Sequence, residues 1–356
     1  MLIRIEPAPR SAPPQLPEVL GFGRYFADRM FTQRYTRAQG WHDALIGPYR
    51  PITLDPAAQV LHNGQMIFDG TKAYRRPDGH LNLFRPERNA ARFNRSAVRM
   101  GMPEVPVDFH LEAITELVRA EAAWVPSQPL TALYIRPVMI ATEKDLAIRA
   151  PGEFLHYIIL SPVAPYFAGG FAPVAVYVPH DYVRAVRGGT GEAKTPGNYA
   201  GSIAATEEAI AKGYQQVLWL DAIERRYVDE VGAMNIAFVY AGRELRTPEL
   251  SGAILHGVTR ESILVLAAES GLAVSEARID FKQVLADIRC GRITEVFGMG
   301  TGAVIAPVGR LGYQGEEFQI NGGEPGPIAR ALFDELTGIQ YGRLPDRHGW
   351  TQMIEV

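Results

Sequence analysis

The stretch Gly188-Gly189-Thr190-Gly191-Glu192-Ala193-Lys194-Thr195-Pro196-Gly197-Asn198-Tyr199 sets one lysine among four glycines and a proline. A helix-like run, Ala200 to Lys212, follows at once. A lysine in such a loop has no helix face to solvate it and no strand period to obey. The chain has 36 basic residues, and only Lys72, Lys144, Lys194, Lys212 and Lys282 are lysines. Lys212 precedes Gly213 at a helix end, where a cation suits the dipole. Lys282 lies on a short amphipathic pattern, Lys144 among charges, and Lys72 at a strand-like start. Lys194 has no such ordinary role. An amine held by close-packed backbone can lose its proton and attack carbonyls. A solvated loop lysine is the other reading of the same residues.

Composition narrows the class. A chain of 356 residues is long enough for about two domains. An apolar content of 47% supports real cores. A net charge of -3 gives no sign of a nucleic-acid or anionic-membrane partner. The one cysteine, Cys290, allows neither an internal disulfide nor a cysteine metal cluster, and the eight histidines show no metal-ligand spacing. Met1 to Pro17 mixes Arg4, Glu6 and Arg10 with five prolines, which is no secretory signal. Leu155 to Pro179 has no charged residue apart from His156, but Pro162, Pro165, Pro173 and Gly169-Gly170 would break a spanning helix. A soluble, cytoplasmic chain is expected.

Residues 1–50 read as a loosely structured arm with aromatic segments such as Phe22-Gly23-Arg24-Tyr25-Phe26. Pro86 to Met102 reads as a helix with Ala90, Phe93, Ala97 and Val98 on one side. Asp108 to Ala123 is a second helix, and Ala132 to Ile140 a strand. Gly and Pro cluster from Phe167 to His180 and mark a boundary. Beyond it, Gln216 to Leu220 is a strand, and Arg226–Glu230 with Met234–Tyr240 reads as a strand pair around Gly232. Helices follow at Thr259 to Ser270, Phe281 to Arg289 and Pro325 to Thr337. The expected class is mixed α+β and α/β. The expected division is residues 1–167, an interdomain loop 168–181, and residues 182–356.

Several pieces then converge. Gly298-Met299-Gly300-Thr301-Gly302 is a glycine-rich loop after a strand, either a plain turn or an anion cradle. Gly257-Val258-Thr259 leads into a helix N-terminus, either an ordinary cap or an anion site. Arg92 lies mid-helix beside Arg88 and Arg95, either on a solvated face or directed inward. Glu230 opens an otherwise apolar stretch, where a lone acid is rare unless paired. Together they suit pyridoxal phosphate, which needs a lysine for its aldehyde, an acid for its ring nitrogen, and N–H groups plus an arginine for its phosphate.

From about His62 to Arg343 the chain resembles the branched-chain amino-acid aminotransferases, fold-type IV pyridoxal-phosphate enzymes. The motifs are Leu83-Phe84-Arg85-Pro86, Arg95-Ser96-Ala97, Tyr134-Ile135-Arg136-Pro137, the Gly188–Tyr199 stretch, Val217-Leu218-Trp219-Leu220, Glu230-Val231-Gly232 and Gly298-Met299-Gly300-Thr301. The resemblance implies two domains, a small N-terminal one and a larger cofactor-binding one, and at least a homodimer. It implies that Lys194 bonds the cofactor aldehyde and carries the proton. Glu230 would pair with the ring nitrogen, and Tyr199 would donate to the ring phenolate oxygen. Arg92, Thr301 and the backbone of Val258 and Thr259 would hold the phosphate. Backbone N–H groups of Thr301 and Gly302 would take the substrate carboxylate, and Phe68, Tyr134, Arg136 and Tyr166 would line the side-chain pocket. The implied reaction is ping-pong transamination of L-leucine, L-isoleucine or L-valine with 2-oxoglutarate. Asn63-Gly64 departs from the family's usual tyrosine after Leu-His, and Gly302 replaces a more usual alanine. A D-amino-acid transaminase, an (R)-amine transaminase or a lyase on the same fold is the alternative.

Overall fold

The computed structural model describes residues 2–7, 15–167 and 169–356. Part of the expected N-terminal arm (Met1, Ala8–Pro14) and the first residue of the expected interdomain loop (Ala168) lie outside the described residues. Contacts divide the chain into two units. The first joins Met1–Ala168, Ala193–Pro196 and Gly338–Val356; the second joins Gly169–Glu192 and Gly197–Thr337.

The first unit is one sheet with helices. Its strands are β1 (Arg4–Ile5), β2 (Arg29–Thr36), β3 (Gly40–Pro48), β4 (Met66–Phe68), β5 (Thr71–Arg75), β6 (Leu81–Phe84), β7 (Ala132–Ala141) and β8 (Glu153–Val163). The order is β1-β3-β2-β8-β7-β5-β6, with the C-terminal strand Thr351–Ile354 on β6 and β4 on β7. Helices α1 (Gln59–Asn63), α2 (Pro86–Arg99) and α3 (Val107–Ala120) complete it. Strand alternation decides its faces. Leu133 and Ile135 of β7 join Leu81, Leu83, Ile158 and Leu160 in a core against Ile114, Leu117 and Val118 of α3. Tyr134 and Arg136 therefore take the opposite face.

Helix α2 starts with Pro86 at its first position and buries Phe93 and Ala97 against Ile67, Met139 and Phe154. Complete burial of a side chain like Phe93 contributes roughly 1.5–3 kcal/mol. Val98, expected on that side, is 62% exposed. It lies five positions past Phe93, about 140° round the helix. The first fifty residues also differ from expectation. Where they are described, they are not a loose arm: β2 and β3 form a long antiparallel hairpin, and β2 pairs along its length with β8. Phe31 and Ile46 are fully buried there. The strand that completes this pairing lies far downstream, so no local signal announces it.

The second unit carries β9 (Val174–Tyr177), β10 (Gln216–Leu220), β11 (Val228–Val231), β12 (Asn235–Tyr240), β13 (Glu244–Pro248), β14 (Ala273–Ala277), β15 (Ile293–Gly300), β16 (Val304–Tyr313) and β17 (Glu316–Gln319). Their order is β11-β10-β9-β16-β15-β12-β13-β14, with β17 on β16. Helices α4 (Gly197–Ala200), α5 (Ile203–Ala211), α6 (Val258–Glu269) and α7 (Phe281–Arg289) lie in this unit, as does α8 (Pro327–Gln340) up to Thr337. The expected strand pair around Gly232 is not a ladder. β11 pairs with β10 and β12 with β15, leaving one bridge, Val231 to Met234. Gly232, at φ 56, donates its N–H to Val217 O, and a Cβ there would meet Gln216 Oε1 at 2.0 Å. The turn thus folds onto β10, and its positive φ favours glycine. No helix among the described residues is long and apolar enough to cross a membrane.

Candidate active site

In the first unit, the Lys194 segment lies against β4. Phe68 N–H donates to Lys194 O at 3.0 Å, and Thr195 Oγ1 donates to Met66 O at 2.9 Å. Lys194 N–H donates to Ser96 Oγ of α2 at 2.9 Å. The lysine backbone is thereby held at its N–H and its carbonyl, and the next residue's hydroxyl adds a third bond. Its half-buried side chain sets Nζ 5.1 Å from the Phe68 ring centroid. The Arg136 guanidinium lies 4.7 Å from the same centroid and donates to Tyr134 Oη at 3.0 Å. Only glycine fits at Gly70, because a Cβ would meet Tyr134 Oη at 1.9 Å.

Arg92 is buried, while Arg88 and Arg95 on the same helix are exposed. Its Nε and Nη2 donate to Asp69 Oδ2 and Oδ1 at 2.9 and 2.8 Å, a bidentate pair. Asn89 Nδ2 adds a third bond to Asp69 at 2.8 Å. Burial alone would raise the Asp69 carboxyl, but the Arg92 guanidinium, with help from Lys194, holds it below its ordinary value. Tyr166 is 45% exposed and meets Phe22 edge-on, with centroids 5.2 Å apart. Phe22 also meets Tyr134 at 5.0 Å, so one ring joins the two expected tyrosines.

In the second unit, the buried Glu230 meets Leu255, Asn235 and Arg184. Its Oε1 accepts from Leu255 N–H at 2.9 Å and from Asn235 Nδ2 at 3.2 Å, and its Oε2 lies 3.0 Å from Arg184 Nε. Asn235 also donates to Leu255 O at 3.0 Å. A Cβ on Gly257 would meet Asn235 Oδ1 at 2.0 Å. One asparagine therefore ties the acid to the start of α6. That helix has no side-chain cap, and Val258 and Thr259 form its buried first turn. Uncapped N–H groups at a helix start suit an anion. Thr301 and Gly302 occupy the turn between β15 and β16, and Asn235 lies opposite Met299 on the adjoining ladder. Val304, which ends the turn, is held at φ 62, a region a β-branched residue rarely adopts. Thr190 and Asn198 staple the lysine loop: Thr190 Oγ1 donates to Asn198 Oδ1 at 2.8 Å, and Asn198 Nδ2 to Thr190 O at 2.7 Å. Tyr199, on α4, is half-buried.

The structure therefore gathers Lys194, Phe68, Tyr134, Arg136 and Arg92 in the first unit. It gathers Glu230 with the start of α6 in the second. Asp69, Arg184, Asn235 and Phe22 are absent from the set expected from sequence. Asp69 had a signal, a lone acid directly after Met66-Ile67-Phe68. Arg184 had none, since Val183-Arg184-Ala185-Val186-Arg187 reads as any loop.

A model of the class IV amino-transferases matches residues 66–311. The chain belongs to the class IV aminotransferases. A probable branched-chain-amino-acid aminotransferase of Streptomyces coelicolor is 51% identical over 335 residues, spanning 94% of this chain and 92% of that protein. Branched-chain-amino-acid aminotransferase 2 of Bacillus subtilis is 47% identical over 352 residues, spanning 99% and 97%. Among solved structures, a T.th. branched-chain amino acid aminotransferase with pyridoxamine 5'-phosphate matches with a TM-score of 0.76 at 26% identity, covering 92% of this chain and 99% of that one. The expected fold-type IV architecture is thus present. Class IV aminotransferases use pyridoxal 5'-phosphate. An amine, a buried and donor-filled carboxylate, an uncapped helix start and a buried arginine are the groups that cofactor needs.

Proposed function

We propose that this chain moves the amino group of L-leucine, L-isoleucine or L-valine to 2-oxoglutarate, giving branched-chain 2-oxo acids and L-glutamate. It acts on small molecules, in the cytoplasm, as a homodimer or higher homo-oligomer. The observation that carries the reading is the wall beside Lys194. Phe68 and Tyr134 offer an apolar surface for an aliphatic side chain, and Arg136, lying over the Phe68 ring, offers a charge for the second carboxylate of glutamate. One wall then serves both halves of the exchange.

Pyridoxal phosphate, when bound, supplies an aldehyde carbon and a ring that accepts electrons from the substrate's α-carbon. Lys194 would hold that aldehyde through its Nζ, and the same amine, once released, would be the base that carries the proton of the substrate α-carbon. Glu230 would place a negative charge at the ring nitrogen and favour its protonated form. Tyr199 would offer its hydroxyl to the phenolate oxygen. Arg92, Val258, Thr259 and Thr301 would hold the phosphate, and backbone N–H groups of Thr301 and Gly302 would take the substrate carboxylate. Phe68, Tyr134, Arg136 and Tyr166 bound the side-chain pocket, and Phe22 joins them.

The test is a donor panel of L-leucine, D-alanine and an aryl amine, each with 2-oxoglutarate. L-Leucine is expected to lead by at least about a hundredfold, the weight of roughly 2.7 kcal/mol of selective binding. A lead for D-alanine or the amine would transfer the assignment to another fold-type IV reaction. Lys194→Ala is expected to abolish the cofactor's visible band and nearly all turnover.

A further inference from the structure

Two acids stand side by side on β11, and the structure treats them oppositely. Asp229 and Glu230 are both buried, at 5% and 3% exposure. Burial pushes the Asp229 carboxyl up to about 7, although the Arg184 charge pulls the other way. Glu230 has what Asp229 lacks: two N–H donors on one oxygen and a guanidinium 3.0 Å from the other. Donors and a cation at that distance favour the ionised form against burial.

Arg184 is itself held in place. Its Nη2 donates to Gly191 O at 3.3 Å and to Ala253 O. A Cβ on Gly191 would meet Ala253 O at 2.3 Å and Ala185 Cβ at 2.7 Å, so these three segments are in close contact. Gly191 lies three positions before Lys194, and Ala253 two before the Leu255 N–H that holds Glu230. The Nε–H of Arg184 is not aligned on an acceptor, so its hold on Glu230 Oε2 is one of charge more than of direction.

We propose that Arg184 is a positioning residue that acts through Glu230: its guanidinium keeps the acid ionised and aimed, and its Nη2 anchors that acid to the lysine loop. The inference rests on the pyridoxal-phosphate reading of the site. It makes Arg184 necessary for the cofactor's electronic state, beyond any part in holding loops together.

The test uses the holoenzyme with Arg184→Lys, Arg184→Gln, Glu230→Gln and the double variant. Cofactor dissociation constants come from titrating each apoenzyme with pyridoxal phosphate. The visible band and the kcat and KM for L-leucine are read on the same samples. Arg184→Gln is expected to weaken the cofactor about tenfold, shift the band and lower kcat with little change in KM. Arg184→Lys is expected to stay within about threefold of wild type. Adding Arg184→Gln to Glu230→Gln, a pair that leaves no buried ion unmatched, is expected to cost less than a further twofold. An unchanged band in Arg184→Gln, equal losses in the Lys and Gln variants, or fully additive losses in the double variant would overturn the proposal. If the wild-type chain bound no pyridoxal phosphate, the functional reading would fall as well. Normal wild-type binding with indifferent variants would remove only Arg184.

Discussion

Replacing Asp69 with asparagine isolates what one buried carboxylate does in the first unit. Asp69 is 1% exposed and accepts from Arg92 Nε, Arg92 Nη2, Asn89 Nδ2 and its neighbour Gly70 N–H, all at 2.7–2.9 Å. Asparagine keeps the shape and one acceptor. It can retain the bonds on Oδ1, from Gly70, Asn89 and Arg92 Nη2, but it turns an amide N–H₂ toward Arg92 Nε. That removes the negative charge Asp69 sets against Arg92 in a buried site. Removing one partner of a buried pair costs about 3–5 kcal/mol, and the retained bonds argue for the lower end, about 3 kcal/mol. For a unit of this size that is roughly 6–12 °C of melting temperature. Urea unfolding followed by tryptophan fluorescence, with Trp41 and Trp124 in the first unit, reads it directly. Adding Arg92→Met removes the buried positive charge as well and should recover about 1–2 kcal/mol in the apoprotein. A single variant within 1 kcal/mol of wild type, or a double variant worse than the sum of its parts, would refute the reasoning.

Other expectations follow from single contacts. Asp229 ionises near 3.8 when unfolded and near 7 in the fold, so stability should fall as pH rises from about 4 to about 7 and level off above. The loss is at most roughly 4 kcal/mol at about 1.36 kcal/mol per pH unit; Asp229→Asn should flatten it, and parallel urea midpoints at pH 5 and 8 would contradict this. Phe93→Ala should cost about 3–5 kcal/mol, because the ring is fully buried between α2 and the sheet, and a midpoint change under 1 kcal/mol would count against that packing. Gly257→Ala should push Asn235 away from Glu230 and weaken pyridoxal phosphate by about tenfold, the weight of one displaced hydrogen bond; an unaltered dissociation constant would separate that asparagine from the site.

What could be read in the sequence was local. Lys194 stood out because its loop gives a lysine nothing ordinary to do. Glu230 stood out because an acid among apolar residues needs partners. Helix α2 is legible from Pro86 and the Ala90–Phe93–Ala97 spacing, whereas Val98 falls too far round the helix to share that buried face. What could not be read depends on chain segments meeting from a distance. The β2–β3 hairpin is completed by β8, and the turn after β11 closes onto β10 through the Gly232 N–H bond to Val217 O. Arg184 gains its meaning only from Glu230, Gly191 and Ala253, none of which is its neighbour in sequence.

The way the chain threads its two units has a biosynthetic consequence. The first sheet lacks its outer strand until Thr351–Ile354 appears, and it lacks the Lys194 segment until the second unit is under way. A ribosome therefore exposes Leu81 and Leu83 of β6 with an unfilled edge while most of the polypeptide is still being made. Stalling or truncation shortly before Gly338 should yield a product prone to clump through that edge. A short peptide supplying the closing strand should suppress it.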